Sequence, residues 1–324
     1  MAASLSSTMA HDPDRALSRR AAMATGLATA TIAALPAIGC HPDASAPETA
    51  GSGDVGSDVA GRMPVAYLPH GGGPWPFVDL GMDPTELESL AGYLRGLSAV
   101  PKSAPRALLV VSAHWEEAVP TVSASPRPPM LYDYYGFPPA SYEVQWPAPG
   151  DPALAARVRS LLGGAGIESA EDASRGFDHA TFVPLKLAYP AAEIPTVQLS
   201  LKIGLDPSEH LAIGRALQPL RDEGVFILGS GLSYHNMRGF RDPSGRSGAG
   251  SFDAWLGETA ELDPASRDRR LALWAKAPAA RQCHPREEHL LPLMVVAGAA
   301  GADRGAIAYR GGVFGVPVSA IHFG

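Results

Sequence analysis

Cysteine is nearly absent from this 324-residue chain, with Cys40 and Cys283 the only two. That excludes a disulfide framework, so stability has to come from a packed core. Runs of Lys or Arg beyond isolated pairs are missing too, and the formal charge is −7. A nucleic-acid binder shows a basic stripe; with none here, no nucleic-acid partner is expected. Charged residues are only 18% and apolar ones 46%, the balance of a globular domain rather than a disordered chain. No internal repeat is visible. What the chain does have is Gly and Pro, 35 and 31 of them, which break the regular elements with many turns.

The first sixty residues differ from the rest. Ser18-Arg19-Arg20 precedes an uncharged stretch, Ala21 to Ile38, that closes in Ala37-Ile38-Gly39-Cys40. A basic start, an apolar middle and a small residue before the cleavage point are the parts of an export signal. The paired arginines point to the twin-arginine route. Cys40 stands where a lipoprotein signal places its lipidated cysteine, with Ala37 at the usual Leu position. Thr25, Thr29, Thr31 and Pro36 make the stretch weakly apolar for a membrane span. From His41 to Arg62 the chain is mostly Ser, Gly, Ala, Asp and Pro, a flexible tether. The expected layout is an export signal with a lipobox over 1–40, a tether over 41–62 and one folded domain over 63–324. The protein is expected to be periplasmic, or attached to the membrane through Cys40.

Within the domain, strand-length apolar runs alternate with helical patterns. Val65–Leu68, Ala107–Val111, Thr196–Ser200, Val225–Leu228 and Val316–Ile321 read as strands. Pro84–Val100, Asp151–Leu162, Ser208–Arg221, Phe252–Leu262, Ser266–Lys276 and Pro285–Ala299 read as helices. The alternation predicts a single α/β domain with a mainly parallel central sheet flanked by helices. Ligands in such sheets bind beyond the carboxyl ends of the strands.

Histidines gather at that edge. Of the ten in the chain, His70 follows the first strand in Pro69-His70-Gly71-Gly72-Gly73-Pro74. His114 ends the second in Ser112-Ala113-His114-Trp115, and His235 follows the fourth in Gly229-Ser230-Gly231 through His235-Asn236. His289 is expected near the start of the helix opened by Pro285, with Pro292 kinking that helix. His179 lies in Gly176-Phe177-Asp178-His179, where Asp178 could orient it or an incoming substrate. A lone histidine at a strand end is commonly structural; several at equivalent edges point to a metal site. Glu287 and Glu288 suit the positive end of the expected helix, and His210, His284 and His322 read as structural.

With these segments in view, the chain resembles the class III extradiol ring-cleavage dioxygenases, in the 4,5-DOPA dioxygenase-like branch. The resemblance runs from about Val65 to Gly324. It rests on the motifs above together with Tyr132-Asp133-Tyr134-Tyr135-Gly136-Phe137-Pro138, Trp146-Pro147-Ala148-Pro149-Gly150 and His284 through Pro292. It implies one mononuclear divalent metal, Fe(II) for activity or Zn(II) as bound, held by His70, His114 and His289. His235 matches a histidine that is an acid–base catalyst in some members and a further zinc ligand in others. His179 matches a catalytic pocket histidine, and Tyr132 and Asp178 are expected to contact substrate. The implied partners are a small aromatic diol, 4,5-DOPA-like, and O2. The same histidines would also suit a zinc hydrolase with Glu287 or Glu288 as base, or a non-catalytic metal-binding lipoprotein.

Overall fold

The computed structural model describes residues 61–240, 246 and 248–324. The expected export signal and nearly all of the tether lie outside them. Eight strands form one sheet: β1 (Val65–Pro69), β2 (Ala107–Glu117), β3 (Thr121–Ser123), β4 (Ala170–Asp172), β5 (Thr196–Lys202), β6 (Val225–Gly231), β7 (Gly305–Val313) and β8 (Val316–Phe323). Eight α-helices accompany them: α1 (Pro84–Gly96), α2 (Pro152–Gly164), α3 (His179–Ala188), α4 (Pro207–Leu217), α5 (Ala249–Ala260), α6 (Pro264–Ala272), α7 (Ala280–Cys283) and α8 (Leu291–Ala300).

The strand order is β4-β3-β5-β2-β6-β1-β8-β7. Its centre, β5-β2-β6-β1, is parallel, while β8 and β7 close one side antiparallel. β1 and β6 are buried at every position, as strands must be when helices cover both faces. The core therefore lies on both sides of these central strands, and the mainly parallel sheet expected from the sequence is what the chain forms. No helix of the described residues is long and apolar enough to cross a membrane.

Four helices begin at an Asp-Pro pair: α1 after Asp83, α2 after Asp151, α4 after Asp206 and α6 after Asp263. In each, the aspartate side chain accepts backbone N–H bonds of the first turn. Proline there forgoes a donor that would have no helical partner anyway. Packing then fixes where they lie. α8 is buried along its whole length and packs against α4. The approach is close enough that a Cβ on Gly214 would sit 2.0 Å from the Val295 carbonyl oxygen.

Several boundaries differ from the sequence reading. The last helix starts at Leu291 rather than Pro285, so Pro292 falls in its first turn and kinks nothing. β2 runs on to Glu117, so His114 sits inside the strand, where the register with β5 shifts between Val111 and Glu116. β3, β4, β7 and α3 carry no clear pattern in the sequence. β3 and β4 are three residues each, β7 alternates with little full burial, and α3 contains Pro184 and has no side-chain cap.

Candidate metal centre and its cavity

Topology brings His70, His114 and His289 together. His70 follows β1, with its backbone N–H on the Gly231 carbonyl at 3.1 Å. Its Nδ1 lies 3.2 Å from Ser230 Oγ, whose own proton goes to the Ala180 carbonyl. Ser230 must therefore accept from His70 Nδ1–H, which leaves Nε2 unprotonated. His289 precedes α8, and its Nδ1 donates to Glu288 Oε1 at 2.9 Å, again leaving a lone pair on Nε2. His114 Nδ1 is 3.4 Å from Asp133 Oδ2. The three Nε2 atoms converge, with His114 3.3 Å from His70 and 3.1 Å from His289.

That convergence suits a cation. Lone pairs at such distances repel, and the surroundings oppose the doubly protonated, charged form of each ring. Burial, then the neighbouring imidazoles, holds His70 and His289 well below the usual histidine range. The same causes, led by burial, bring His114 down to about 3. Neutral imidazoles whose second nitrogen is tied to an oxygen are the donor set of a divalent metal. His70, His114 and His289 could hold one such ion.

Two more imidazoles flank the triad. His179 opens α3, and its Nδ1 lies 2.8 Å from Asp133 Oδ1, which also accepts the His179 backbone N–H at 3.0 Å. Asp133 thus stands between His114 and His179. Burial pushes its carboxyl up, but the His179 bond and the neighbouring imidazoles more than offset this and keep it below the usual range. His235 stacks on His289, with ring centroids 3.4 Å apart, and its Nδ1 lies 2.9 Å from Glu288 Oε1. One carboxylate oxygen therefore receives both His235 and His289. Burial opposes ionisation of Glu288, and the bond from His235 prevails, so it too titrates below its ordinary range.

All five imidazoles line a cavity of about 260 Å³ with Gly71–Gly73 and Leu232 on its walls. His289 is held there through its backbone. The Tyr67 hydroxyl and the Leu232 N–H donate to its carbonyl at 2.8 and 3.2 Å. A Cβ on Gly231 would lie 2.1 Å from that same oxygen, so only glycine lets β6 pass this close.

Asp178 and Tyr132 are not brought to the cavity. Asp178 is fully buried, accepting bonds from Ser112 Oγ at 2.9 Å, Gln198 Nε2 at 2.5 Å and Arg175 at 3.1 Å. Ser112 Oγ in turn accepts the His114 backbone N–H at 3.1 Å, so Asp178 braces the strand behind the metal ligands. The Tyr132 hydroxyl donates to the Val144 carbonyl at 3.0 Å; its neighbour Tyr134 is the one that walls the cavity's outer part. Asp133, set among three tyrosines in Tyr132-Asp133-Tyr134-Tyr135, is an orienting group that the sequence alone does not single out. For Glu288 the sequence suggested helix-end charge or a base, not a bridge between two histidines.

Comparison with known proteins places the chain in a family. Residues 64–316 match the family model described as the catalytic LigB subunit of aromatic ring-opening dioxygenase. The chain is 37% identical to dioxygenase tasH of Hapsidospora irregularis over 82% of this chain and 86% of that protein. It is 44% identical to a 4,5-DOPA dioxygenase extradiol of Beta vulgaris over 61% and 75%, and 34% identical to one of Escherichia coli K12 over 74% and 85%. A crystal structure of an uncharacterized Escherichia coli K12 protein superposes with a TM-score of 0.64 at 29% identity, covering 81% of this chain and all of that one. With the match spanning most of the described domain, the chain belongs to the LigB family of class III extradiol ring-opening dioxygenases.

Proposed function

We propose that the chain is a metal-dependent extradiol dioxygenase that opens the ring of a catechol-type aromatic with O2. The observation that carries this reading is the convergence of three neutral Nε2 atoms beside two carboxylate-held imidazoles in one cavity. His70, His114 and His289 would hold Fe(II) for activity, and the same donors accept Zn(II). Bound there, the metal would acidify the two adjacent hydroxyls of a catechol and offer positions for diol and dioxygen.

The remaining chemistry belongs to the side chains. His235, with Nδ1 fixed on Glu288, keeps Nε2 to accept the second phenol proton, and the carboxylate offsets the charge the ring then gains. His179, fixed on Asp133, is placed to hydrogen-bond the oxygen that adds beside the diol and to return a proton. The ring carbon–carbon bond next to the diol breaks, both oxygen atoms of O2 enter the product, and a semialdehyde acid results.

The zinc hydrolase alternative takes Glu287 or Glu288 as its free base. Glu288 already receives two imidazoles, and Glu287 pairs with Arg281 at 2.5 Å. A protein that only holds metal has no use for His179 and His235 on their carboxylates. Export through Ser18-Arg19-Arg20, with lipidation at Cys40, is part of the proposal and rests on the sequence alone. To test the activity, the protein is loaded anaerobically with Fe(II), exposed to air with a panel of catechols, and the products are weighed by mass spectrometry. A product equal in mass to one catechol plus one O2 is expected. If no catechol on the panel gains that mass, the reading is wrong.

A further inference from the structure

Beyond the imidazoles, the space left for substrate is apolar. The histidine cavity continues outward into a second one of about 480 Å³, walled by Leu80, Tyr134, Phe137, Met237, Phe240 and Phe314. That volume is within the range, roughly 300–1,000 Å³, of sites that take ligands larger than a bare ring. Among the described residues, no Lys, Arg, Asp or Glu lines either cavity. The Tyr134 hydroxyl is spent on the Ser141 carbonyl. Of the nearby guanidinium groups, Arg246 lies behind the wall, 3.5 Å from the Phe240 carbonyl and against Gly315, and lines neither cavity. Arg238 and Arg286 line a different hollow, which shares only His235 and Met237 with the inner cavity. Arg286 is moreover held on both carboxylate oxygens of Glu116.

The mouth of the outer cavity repeats the pattern. Met237 and Phe314, which line both cavities, are 61% and 39% exposed. Phe314 is there against its backbone preference. It occupies the two-residue turn between β7 and β8 with φ 51°, followed by Gly315 at φ 71°. Such a turn normally takes Asn-Gly or Gly-Gly, and a bulky residue at positive φ is an outlier. Strain of this kind persists where the side chain is used. Here the ring meets Phe240 edge-on at 5.8 Å and closes the cavity wall.

We infer that the outer cavity receives an apolar ring substituent, so that the substrate is a catechol bearing an alkyl or aryl group rather than a charged amino-acid side chain. This rests on the proposed ring opening for the diol half of the substrate. A zwitterionic side chain entering this cavity would lose its water and meet no charged partner among the described residues that line it, which is strongly unfavourable. An alkyl chain gains with every methylene it buries.

Titration calorimetry on the Zn(II)-loaded protein, in which no turnover occurs, tests this with two pairs of ligands. One pair is 4-butylcatechol and DOPA; the other is 4-butylphenol and tyrosine. In each pair the butyl compound should bind at least about 100-fold more tightly. Met237→Arg, a change at an exposed position, should cut that ratio at least tenfold by giving the carboxylate a partner. A butyl preference near one in the wild-type protein overturns the inference, even where catechols outbind phenols. Catechols binding no more tightly than phenols would instead count against ring opening, with the butyl preference in the phenol pair still supporting an apolar cavity.

Discussion

At the residue scale, each imidazole has one nitrogen assigned by a neighbour and one left for chemistry. Replacing His70 or His114 by Ala removes one of three converging donors while leaving the apolar strands behind them intact. Either variant should lose stoichiometric metal in elemental analysis yet keep the wild-type circular dichroism spectrum; full metal content would refute the site. His235 should separate from these. His235→Ala is expected to retain Fe(II) and bind catechol, with turnover down roughly 10²–10⁴-fold, the contribution of a positioned acid–base group. Loss of the metal would make His235 a ligand. Glu288 serves His235 and His289 at once, so Glu288→Gln should lower both turnover and metal affinity, the latter roughly 10–100-fold. An effect on turnover alone would show that His289 needs no such support. The histidines were legible because strand ends and glycine runs mark them in the sequence. Asp133 and Glu288 were not, since which carboxylate meets which imidazole depends on chain segments 46 and 53 residues apart.

At the element scale, the sheet delivers its residues only because certain backbones pass close together. β6 touches the His289 carbonyl at Gly231, where a Cβ has no room. Gly231→Ala should displace that loop and weaken metal binding at least tenfold, measured by competition with a chelator; unchanged affinity would mean that the loop yields without moving His289. Strongly patterned elements were readable in advance. β1 and the first four residues of β6 are apolar runs, and the Asp-Pro pairs mark helix starts. The start of the last helix was misplaced because Pro285 and two acidic residues imitate a helix start, whereas the chain delays until Leu291. α3 was missed because its stability comes from burial on nearly every side rather than from capping or a single apolar stripe.

For the whole molecule, the core sets the response to acid. Burial pushes His284 and His322 down to about 4, while in the unfolded chain histidine titrates near 6.5. Below about pH 6.5 the unfolded state therefore binds protons first, and stability falls until the folded forms also protonate near pH 4. For fully buried His284 the slope is up to about 1.4 kcal/mol per pH unit. His284→Phe, which keeps a ring but cannot protonate, should flatten the dependence of the urea midpoint between pH 6.5 and 4 in the metal-free protein. An unchanged slope would assign acid sensitivity to other groups. The single described thiol, Cys283, is buried and pushed up to about 12, so stability should not depend on reducing agents. If the proposed leader operates, Lys at both Arg19 and Arg20 should retain the protein in the cytoplasm, and Cys40→Ser should release it from the membrane fraction. Unchanged fractionation in both variants would leave export without support.

The central claim is that three buried imidazoles hold one metal at which O2 opens a catechol ring. An oxygen electrode coupled to an absorbance cell tests it in one trace, with 4-butylcatechol as substrate. The account predicts one O2 consumed per ring opened, abolished when a chelator strips the protein and restored when Fe(II) is returned. Oxygen uptake that ignores the chelator, or uptake that releases hydrogen peroxide and a quinone without ring opening, would contradict it.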